Sequence, residues 1–596
     1  MSSILHNLDT AFRAAFESLG FPADAGAVRE SDRPDLAPFQ CNGAMMAAGI
    51  LKKRGEKANP RDIAQSVTES LKGNALIAEL EIAGPGFINI SVTPQALTQR
   101  AQALAIDERT GAEKLAPRKI MIDYGGANVA KPMHVGHLRS AVIGDCLKRL
   151  LRFRGHEVIG DVHLGDWGLQ MGHLISELRD EQPDLPYFDK NKRSDYPAVS
   201  PVTMDDLARL YPNASNKAKA DPERMERSRL ATAELQSGRP GYRALLDHFI
   251  TVSIKALKKG YGDLGVEFDL WKGEASVDPL IEGMIEDLKA KGITEEDDGA
   301  LIIRVDQEDE KQDIPPVMLR ASSGAVLYHT TDLATLIDRK TLNDPDLILY
   351  VVDQRQALHF EQVFRAAVKA GWYQREQMQH LGFGTMNGKD GKPFKTREGG
   401  VLRLEDLLIM MQQAAKTRLS EAGIGTDFPQ EEQDDIASKV GIAALKFADL
   451  QNQRTTNYVF DPERFTAFEG KTGPYLLYAN VRIKSILRRA ASEEASLAPN
   501  AQAIVIKEPS EQQLVLALDG FERTLKTASE KYAPHILCDH VFKLAQSFSR
   551  FYTDCPILKP GTPEAVKASR LALAALTLRQ LNLGLDILGL EAPDRM

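Results

Sequence analysis

The sequence predicts an α/β domain built on a parallel sheet, preceded by a small α+β unit and followed by an all-helical domain. A strand, a loop, a helix and a second strand follow one another within residues 119–162, which is the order of a βαβ unit. The same alternation returns near residues 324–412, and helical patterns dominate after about residue 430. At about 150 residues per domain, a chain of 596 residues should hold three or four domains. The expected units are 1–112, 113–430 with an insertion near 181–300, and 431–596.

The composition excludes several classes of protein. Hydrophobic residues make up 43% and charged residues 26%, which is ordinary for a globular protein and excludes fibrous and wholly disordered chains. The net charge of −9 excludes a globally basic protein that coats nucleic acid. The four scattered cysteines argue against a disulfide framework and a structural zinc site, and they fit a reducing cytoplasm. Because we find no run of about 18 apolar residues and no leader-like start, we expect a cytoplasmic protein without a membrane partner.

The first unit combines helices with a hairpin. Residues 8–19 carry helical periodicity. A second helix is predicted to begin with Asn59 as its cap and Pro60 at its first position. Residues 79–92 form two β-rich runs around a Gly-Pro-Gly turn, which predicts a hairpin. The polar stretch 110–114 then forms a linker.

The second unit contains the elements of a parallel sheet. Residues 120–124 and 157–162 are predicted strands, and residues 134–154 form the amphipathic helix between them. The second half is predicted to contain strands at 325–328 and 347–352 and a helix at 357–370. Between the two halves, a proline-rich loop and a charged helical stretch predict an insertion that splits the sheet, at 181–203 and 205–260.

The third unit is predicted to be a helical bundle. Helices are expected over 436–450, 475–489, 511–532, 536–552 and 563–588, with a solvated connection at 491–503. From residue 440 to the end, 19 Lys and Arg stand against 17 Asp and Glu, so this part carries +2 while the rest carries −11. The lower acidity permits a polyanionic partner but does not demonstrate one.

The strongest chemical signal is the stretch from Asn128 to His137, between the first strand and the first helix of the sheet unit. A parallel sheet presents ligands at this position, where the unpaired N–H groups and the dipole of a helix favour anions. His134 and His137 share one face of the first helical turn, while Gly136 leaves room for a nucleotide. With the charge of Lys131, this set can stabilise a triphosphate as negative charge moves onto departing pyrophosphate. The alternative is that each histidine only caps the local helix end.

This stretch resembles the His-Ile-Gly-His region of class I aminoacyl-tRNA synthetases. The wider run Asn-Val-Ala-Lys-Pro-Met-His-Val-Gly-His-Leu-Arg-Ser is similar to that of bacterial-type arginyl-tRNA synthetases. The similarity extends over essentially the whole chain, with further matching segments at 84–90, 460–462, 469–475, 478–482 and 590–596. The alternatives are a small-molecule nucleotidyltransferase, another class I synthetase and a non-catalytic tRNA-binding paralogue, which ATP–pyrophosphate exchange would separate.

The resemblance implies both a fold and an activity. The fold is an α/β Rossmann-like catalytic domain with an insertion, a small α+β N-terminal domain that contacts tRNA, and a C-terminal all-α helical bundle that binds the anticodon. The activity is ATP-dependent attachment of arginine to tRNA(Arg) through arginyl-adenylate, which members usually begin only when tRNA is bound. The implied substrates are ATP with Mg²⁺, L-arginine and tRNA(Arg). A monomer without zinc is expected.

The resemblance also assigns residues to the nucleotide. The implied catalytic residues are His134, His137, Lys131 and Lys395. Further ATP contacts are implied for Ala127, Asn128, Val129, Ala130, Pro132, Met133, Val135, Gly136, Lys392, Thr396 and Arg397. The last three and Lys395 belong to residues 388–400, which correspond to the Lys-Met-Ser-Lys-Ser loop of the class. This loop also fits a merely solvated basic segment, and which of its lysines, or Lys131, serves the phosphates stays open.

Arginine recognition requires acceptors for a planar guanidinium with five donors, and a carboxylate meets this need best. The resemblance places Tyr328, Asp332 and Gln356 around the arginine side chain, and Asp123 and Asn128 at its α-amino end. Asp332 also fits a plain helix N-cap, and Asp123 fits an exposed carboxylate at a strand end. Relatives often have Ser and Pro where this chain has Gly125-Gly126-Ala127, so a serine contact to substrate is absent.

Aromatic residues lie among cations in the third unit, as in proteins that stack the splayed bases of an anticodon. The aromatic residues are Tyr458, Phe460, Tyr475, Tyr478, Phe551 and Tyr552, and the cations are Arg454, Lys471, Arg482 and Lys484. Each ring also fits the hydrophobic core, which is the more common fate of a ring at helical spacing.

Overall fold

The computed structural model describes residues 2–306, 314–322, 324–392, 394, 402–493 and 498–596. Its N-terminal unit is an antiparallel sheet packed against helices. In chain order its elements are α1 (Ile4–Ser18), β1 (Val28–Glu30), β2 (Phe39–Cys41), α2 (Gly43–Lys53), α3 (Pro60–Ser70), β3 (Ile77–Ala83), β4 (Phe87–Val92) and α4 (Pro94–Ile106). The strand order is β1-β2-β4-β3. The predicted hairpin is confirmed by the antiparallel pairing of β3 with β4. The predicted cap is confirmed because the side chain of Asn59 accepts the N–H of Arg61.

The central unit begins with the predicted βαβ arrangement and continues into the insertion. Its first elements are β5 (Lys119–Asp123), α5 (Val135–Phe153), β6 (Glu157–Leu164), α6 (Leu169–Glu181), α7 (Met204–Ala220), α8 (Pro222–Gln236), α9 (Pro240–Asp263) and β7 (Leu270–Gly273). Then follow α10 (Asp278–Ala290), β8 (Glu295–Asp297), β9 (Ala300–Ile303), β10 (Val317–Arg320), α11 (Tyr328–Asn343), β11 (Leu347–Tyr350), α12 (Ala357–Lys369), β12 (Met378–His380) and β13 (Met386–Asn387).

Five of these strands form one parallel sheet in the order β12-β11-β5-β6-β7. Within the sheet, β5 is flanked by β6 on one side and by β11 on the other. The chain passes from β5 to β6 first and reaches β11 later. The strand order therefore reverses between β5 and β11, and the loops that follow these two strands diverge there. Such a switch point opens a crevice at the carboxyl ends of the strands, where α/β proteins bind ligands.

Residues 325–328 do not form the predicted strand. Val326 makes a single bridge to Arg320, and Tyr328 is already the first residue of α11. The hydroxyl of Thr330 donates to the carbonyl of Leu319 at 2.6 Å, which ties the start of α11 to β10. This tertiary contact outweighs the β preference of a four-residue apolar run, because strand preference depends strongly on context.

The remainder of the chain is mainly helical. Its elements are α13 (Leu404–Glu421), α14 (Gln430–Leu450), β14 (Tyr458–Val459), α15 (Pro462–Phe465), α16 (Gly473–Glu493), α17 (Pro509–Asp519), α18 (Phe521–Glu530), α19 (Pro534–Asp554) and α20 (Glu564–Leu588). The predicted helix at 511–532 is two helices that meet at Gly520. The short strand β14 is an exception to the predicted all-helical pattern, and it pairs with β13. α20 is long and apolar enough to cross a membrane, but 67% of its apolar window is buried inside the protein, as in a core helix.

Candidate active site

A cavity of about 440 Å³ lies at the switch point of the parallel sheet. Its walls are the segment after β5, the first turns of α5, the segment after β11, and the segment between β12 and β13. Seven of the predicted site residues line it together, namely Asp123, Asn128, His134, Val135, Gly136, His137 and Gln356. The structure therefore brings together the carboxyl edge of the sheet, a helix N-terminus and the histidine pair.

The two histidines form the N-terminal cap of α5. Nδ1 of His134 accepts the N–H of Gly136 at 3.0 Å, and Nδ1 of His137 accepts the N–H of His134 at 3.1 Å. An imidazole that accepts at Nδ1 in its neutral form carries its proton at Nε2. Both rings therefore keep an Nε2–H donor, and their centroids are 4.0 Å apart. Capping and a role in the cavity use different atoms of the same rings.

Burial keeps this histidine pair uncharged near neutral pH. Burial lowers the pKa of His137 to about 3, and the neighbouring His134 adds to the effect. The pKa of His134 is lowered by burial and by the charge of Lys131. Desolvation disfavours the charged form of a histidine, so both rings act as neutral hydrogen-bond donors.

Gly136 is required by the geometry of the cap. A Cβ on this residue would lie 2.7 Å from Cε1 of His134 and 2.9 Å from its Nδ1. Carbon atoms do not approach this closely without a shift of one of them. The sequence assigned this glycine to the approach of a nucleotide, and the structure adds that the ring of His134 also needs the space.

Several residues of the loop between β5 and α5 that were predicted to contact the nucleotide are buried in the core. Ala127, Val129 and Ala130 are at most 1% exposed, backbone included, and none of them lines the cavity of the histidine pair. Ala130 has a φ of +64°, and its N–H donates to the hydroxyl of Ser253 at 2.9 Å. The insertion, through α9, thus holds this loop in a left-handed conformation that a residue with a Cβ rarely adopts.

Lys131, Pro132 and Met133 line a different cavity, of about 170 Å³, between this loop, the insertion and α13. The Nζ of Lys131 lies 4.4 Å from the ring centroid of Tyr211 on α7, in a cation–π contact. Met133 instead fixes the far side of the loop, because its carbonyl accepts the N–H of Leu404 at 3.0 Å. The structure therefore places these three residues beside the histidine pair but outside the cavity that it lines.

Backbone contacts fix the entry of the segment that corresponds to the second signature and the residues that follow it. At its entry, the N–H of Gly388 donates to the carbonyl of Lys392 at 2.8 Å and closes a turn, and the side chain of Lys392 is exposed. Beyond its exit, Arg403 pairs with His134 as a β-bridge, and the N–H of Val135 donates to the carbonyl of Leu402 at 3.1 Å. Leu402 and Arg403, which follow the segment, therefore adjoin the histidine cap. The predicted residues Lys395, Thr396 and Arg397 lie outside the described residues.

Asp123 is buried rather than exposed at the end of β5. Its Oδ2 accepts Nη2 of Arg339 at 2.5 Å, and the same guanidinium binds Asp161 at 2.7 Å. Burial raises the pKa of Asp123, and the charge of Arg339 opposes that shift. The alternative of an exposed strand-end carboxylate is wrong, since this group is built into a buried ion-pair network at the cavity wall.

Asp332 lies in the second turn of α11 and is not its N-cap, which is Leu327. Its Oδ2 is 2.5 Å from Nε2 of His359, in the first turn of α12. Gln356 immediately precedes α12, so this contact brings Asp332 towards Gln356. Tyr328 and Asp332 lie outside the cavity of the histidine pair, and Tyr328 is 58% exposed.

Two carboxyl groups that the sequence did not indicate lie after β6 and β7. Burial raises the pKa of Glu274 to about 7 and that of Asp166 to about 6. Asp332 interacts electrostatically with Glu274, and His163 interacts with both Glu274 and Asp166. Neither ring nitrogen of His163 has a hydrogen-bond partner among the described residues. This group of acids at the carboxyl edge of the sheet, called here the acidic cluster (Asp166, Glu274 and Asp332), suits a cationic ligand. Residues at the carboxyl ends of parallel strands are a usable sequence signal, but β7 itself was not predicted.

The aromatic residues of the helical region differ in exposure. Tyr458, Phe460 and Phe551 are buried in the core, whereas Tyr475 and Tyr552 are half-buried. Tyr478 is 41% exposed, and the guanidinium of Arg482 lies 4.7 Å from the ring centroid of Tyr552. The exposed ring and the Arg482–Tyr552 pair are the members of this set that offer stacking surfaces.

Three family models match successive parts of the chain. They are described as "Arginyl tRNA synthetase N terminal domain", over residues 6–92, "tRNA synthetases class I (R), catalytic domain", over residues 99–462, and "DALR anticodon binding domain", over residues 476–596. The central match includes the sheet, the histidine pair and both signature segments.

Curated relatives match the chain over its full length. The arginine–tRNA ligases of Maricaulis maris and Hyphomonas neptunium are 57% and 58% identical to it, and each alignment covers 100% of both chains. The solved arginyl-tRNA synthetase of Plasmodium falciparum shares its fold with a TM-score of 0.80 at 22% identity, covering 100% of both chains. The Thermus thermophilus arginyl-tRNA synthetase gives a TM-score of 0.76 at 22% identity, covering 99% of this chain and 100% of that one.

The parallel sheet, the histidine pair at its switch point and the catalytic-domain match define a class I aminoacyl-tRNA synthetase with a Rossmann-like catalytic domain. Within that class, the chain belongs to the arginyl-tRNA synthetase family.

Proposed function

We propose that this chain, an arginine–tRNA ligase by family, forms arginyl-adenylate in the cavity at the switch point and transfers the arginine to tRNA(Arg). The observation that carries this assignment is the neutral histidine pair at the N-terminus of α5, with both Nε2–H donors left over from capping. Donors fixed before the reaction stabilise developing negative charge without having to reorganise.

In the first step, a carboxylate oxygen of arginine attacks the α-phosphorus of ATP. An O–P bond forms, the bond to the bridging oxygen breaks, and pyrophosphate leaves with that electron pair. The Nε2–H groups of His134 and His137 donate to phosphate oxygens as charge builds up, and the helix N-terminus adds its dipole. In the second step, a ribose hydroxyl at the 3′ end of the tRNA attacks the carbonyl carbon of the adenylate. The bond from that carbon to the phosphate oxygen breaks, AMP leaves with the electron pair, and the hydroxyl proton is released.

The second signature segment supplies further charge to the phosphates in this proposal. Lys392, Lys395 and Arg397 are its cations, and Thr396 adds a hydroxyl. Lys131 supports the loop through Tyr211 rather than from the cavity. Among the described residues no group of three or more His, Cys, Asp or Glu could hold a metal ion. Mg²⁺ is proposed to arrive with ATP and to neutralise part of the charge of its phosphates.

Arginine is proposed to lie between the cavity and the acidic cluster. Its guanidinium would pair with Asp332 and Glu274, while Tyr328 and Gln356 would border its side chain. Asn128 and Asp123 would face its α-amino end from the segment after β5. A planar cation with five donors needs several acceptors, which two carboxylates from different elements provide.

The remaining assignments concern the whole chain. Residues 1–112 are proposed to contact the tRNA, residues 113–430 to catalyse both steps, and residues 431–596 to bind the anticodon. We also propose that the protein acts as a cytoplasmic monomer without a membrane partner.

Arginine-dependent ATP–pyrophosphate exchange tests the proposed function. Exchange is expected with arginine when cognate tRNA is present, and neither lysine nor glutamine should replace arginine. Robust exchange with either of those amino acids, or none with arginine plus tRNA, would contradict the assignment. Exchange with arginine in the absence of tRNA would remove only the expected dependence on tRNA.

A further inference from the structure

A buried cluster joins the first turns of α5 to the end of α14 and to the segment that follows it. Arg139 of α5 is 2% exposed, and its Nε donates to Oδ2 of Asp449 at 3.0 Å. The hydroxyl of Tyr458 donates to the same Oδ2, also at 3.0 Å. Nη1 of Arg139 donates to the carbonyl of Thr456 at 2.9 Å. Residues 451–461, which we call the connector, are thereby fixed to the helix that begins with the histidine pair.

The connector also carries the entry of the second signature segment. Its strand β14 pairs in parallel with β13, which leads directly into residue 388. The N–H of Tyr458 donates to the carbonyl of Thr385 at 3.2 Å, and that of Phe460 donates to the carbonyl of Asn387 at 2.8 Å. The ring of Phe394 packs edge-on against Phe460, with centroids 4.9 Å apart. A displacement of the connector would therefore move the entry of that segment.

The hydroxyl of Tyr458 is the point where these two sets of contacts meet. The side chain of Tyr458 is linked to Arg139 through Asp449, and the backbone of Tyr458 belongs to the β14–β13 pair. The same tyrosine ring lies 5.2 Å from the guanidinium carbon of Arg139. Arg139 and Thr385 both line the cavity, so the cluster spans its wall from one signature to the other.

We propose that Arg139, Asp449 and Tyr458 are positioning residues that set the distance between the histidine pair and residues 385–388, which lead into the second signature segment. This inference rests on the proposed formation of arginyl-adenylate in the cavity. The cluster acts by holding together the backbone segments that it joins, namely α5 and the connector. Misplacement of catalytic groups by about 1 Å, even by a remote mutation, can lower a rate about 100-fold.

The test is Tyr458→Phe, which removes one hydroxyl and leaves the buried Arg139–Asp449 pair intact. In exchange assays with saturating tRNA, kcat should fall by roughly 10- to 100-fold. The KM for arginine should stay within about 3-fold, because the amino-acid contacts are unchanged and the loss is confined to the transition state. The matched control is Tyr187→Phe in the insertion. The hydroxyl of the buried Tyr187 lies 2.9 Å from Nε2 of His248 and 3.2 Å from the carbonyl of Pro197, and neither partner lines the cavity.

Several outcomes would overturn the proposal. A wild-type kcat in Tyr458→Phe would show that the cluster is merely structural. The same conclusion would follow if both variants had a lower unfolding temperature and kcat fell no further in Tyr458→Phe than in Tyr187→Phe. If Tyr458→Phe does not fold, Arg139→Lys serves instead, because it keeps a charge for Asp449 but cannot also hold the Thr456 carbonyl in the same geometry. An unchanged kcat in Arg139→Lys would then overturn it. Absence of exchange in the wild-type enzyme would contradict the proposed function rather than this inference.

Discussion

At the first turn of α5, His134 and His137 each use Nδ1 as an acceptor for a backbone N–H. That bond fixes the tautomer, and burial keeps the rings neutral. Neutral donors can strengthen their hydrogen bonds as phosphate charge grows, whereas cations would bind the charged ground state strongly as well. Interactions that are stronger in the transition state than in the ground state are the ones that accelerate the chemical step.

Glu274 gives the acidic cluster a measurable pH dependence. Its pKa is raised to about 7 by burial, so the group is largely protonated at pH 6 and largely ionised at pH 8. Arginine is a cation, and in the proposed site it would pair with the ionised carboxylate. The kcat/KM for arginine should therefore fall as the pH drops through about 7, by roughly 10-fold between pH 8 and pH 6, since each pH unit below the pKa removes about nine-tenths of the ionised form.

The control for this pH profile is Glu274→Gln. The variant should have a lower kcat/KM at pH 8 and should lose the part of the decline centred near pH 7. Asp166, with a pKa of about 6, should still contribute a weaker decline at lower pH. An unchanged profile in Glu274→Gln would show that another group is responsible and that Glu274 does not face arginine.

At the scale of elements, the N-terminus of α5 combines a helix dipole, a capping histidine pair and a glycine whose missing side chain makes room for that pair. Gly136→Ala tests whether this packing matters for activity. A Cβ would lie 2.7 Å from Cε1 of His134, so the ring must move and its Nε2–H is misdirected. We expect the exchange rate to fall by about 10- to 1000-fold. The upper limit is the effect of losing one preorganised donor completely.

Gly283→Ala is the matched control for this glycine substitution. Gly283 lies in α10, and a Cβ there meets no atom within 4 Å. Alanine is favoured over glycine in a helix by about 1 kcal/mol, so this variant should be slightly more stable and fully active. Equal activity in Gly136→Ala and Gly283→Ala would mean that the orientation of His134 does not limit the reaction.

Periodicity in the sequence was sufficient to predict most of the long helices and strands. Local rules failed where contacts between distant parts of the chain determine the secondary structure. The hairpin of β3 and β4 and the β5–α5–β6 unit follow from alternation, turn residues and helical spacing. The run at 325–328 instead became the start of α11, because Thr330 is bonded to β10. The helix predicted at 511–532 is broken at Gly520.

The same limit applies to the site. The histidine pair was visible in the sequence because its two residues are neighbours on one helical turn. Glu274 was missed because it follows the four-residue strand β7, which has too few residues to show a pattern. The location of Lys131 depends on Tyr211, 80 positions further along the chain. Contacts made across the fold leave no local trace in the sequence.

At the scale of the whole molecule, one buried ion pair and a group of buried charged side chains join the units. Arg100 of α4 binds Asp519 of α17 at 2.5 Å, which connects the N-terminal unit to the helical bundle. Lys446 of α14 is buried beside Asp145 of α5, and burial lowers its pKa to about 8. The helix that presents the histidine pair is therefore in direct contact with the helical region, in addition to its contact through the connector. Removal of one partner from such a pair is strongly destabilising.

The most direct test of the central claim is the rate of arginine-dependent pyrophosphate exchange in His137→Ala, measured per folded molecule. If the Nε2–H of His137 stabilises charge in the transition state, the rate should fall by roughly 100- to 1000-fold. The unfolding temperature should change little, since the loss of a capping side chain costs about 1 kcal/mol. A wild-type rate per folded molecule together with a clearly lower unfolding temperature would contradict the account and would leave the histidine pair with a capping role alone.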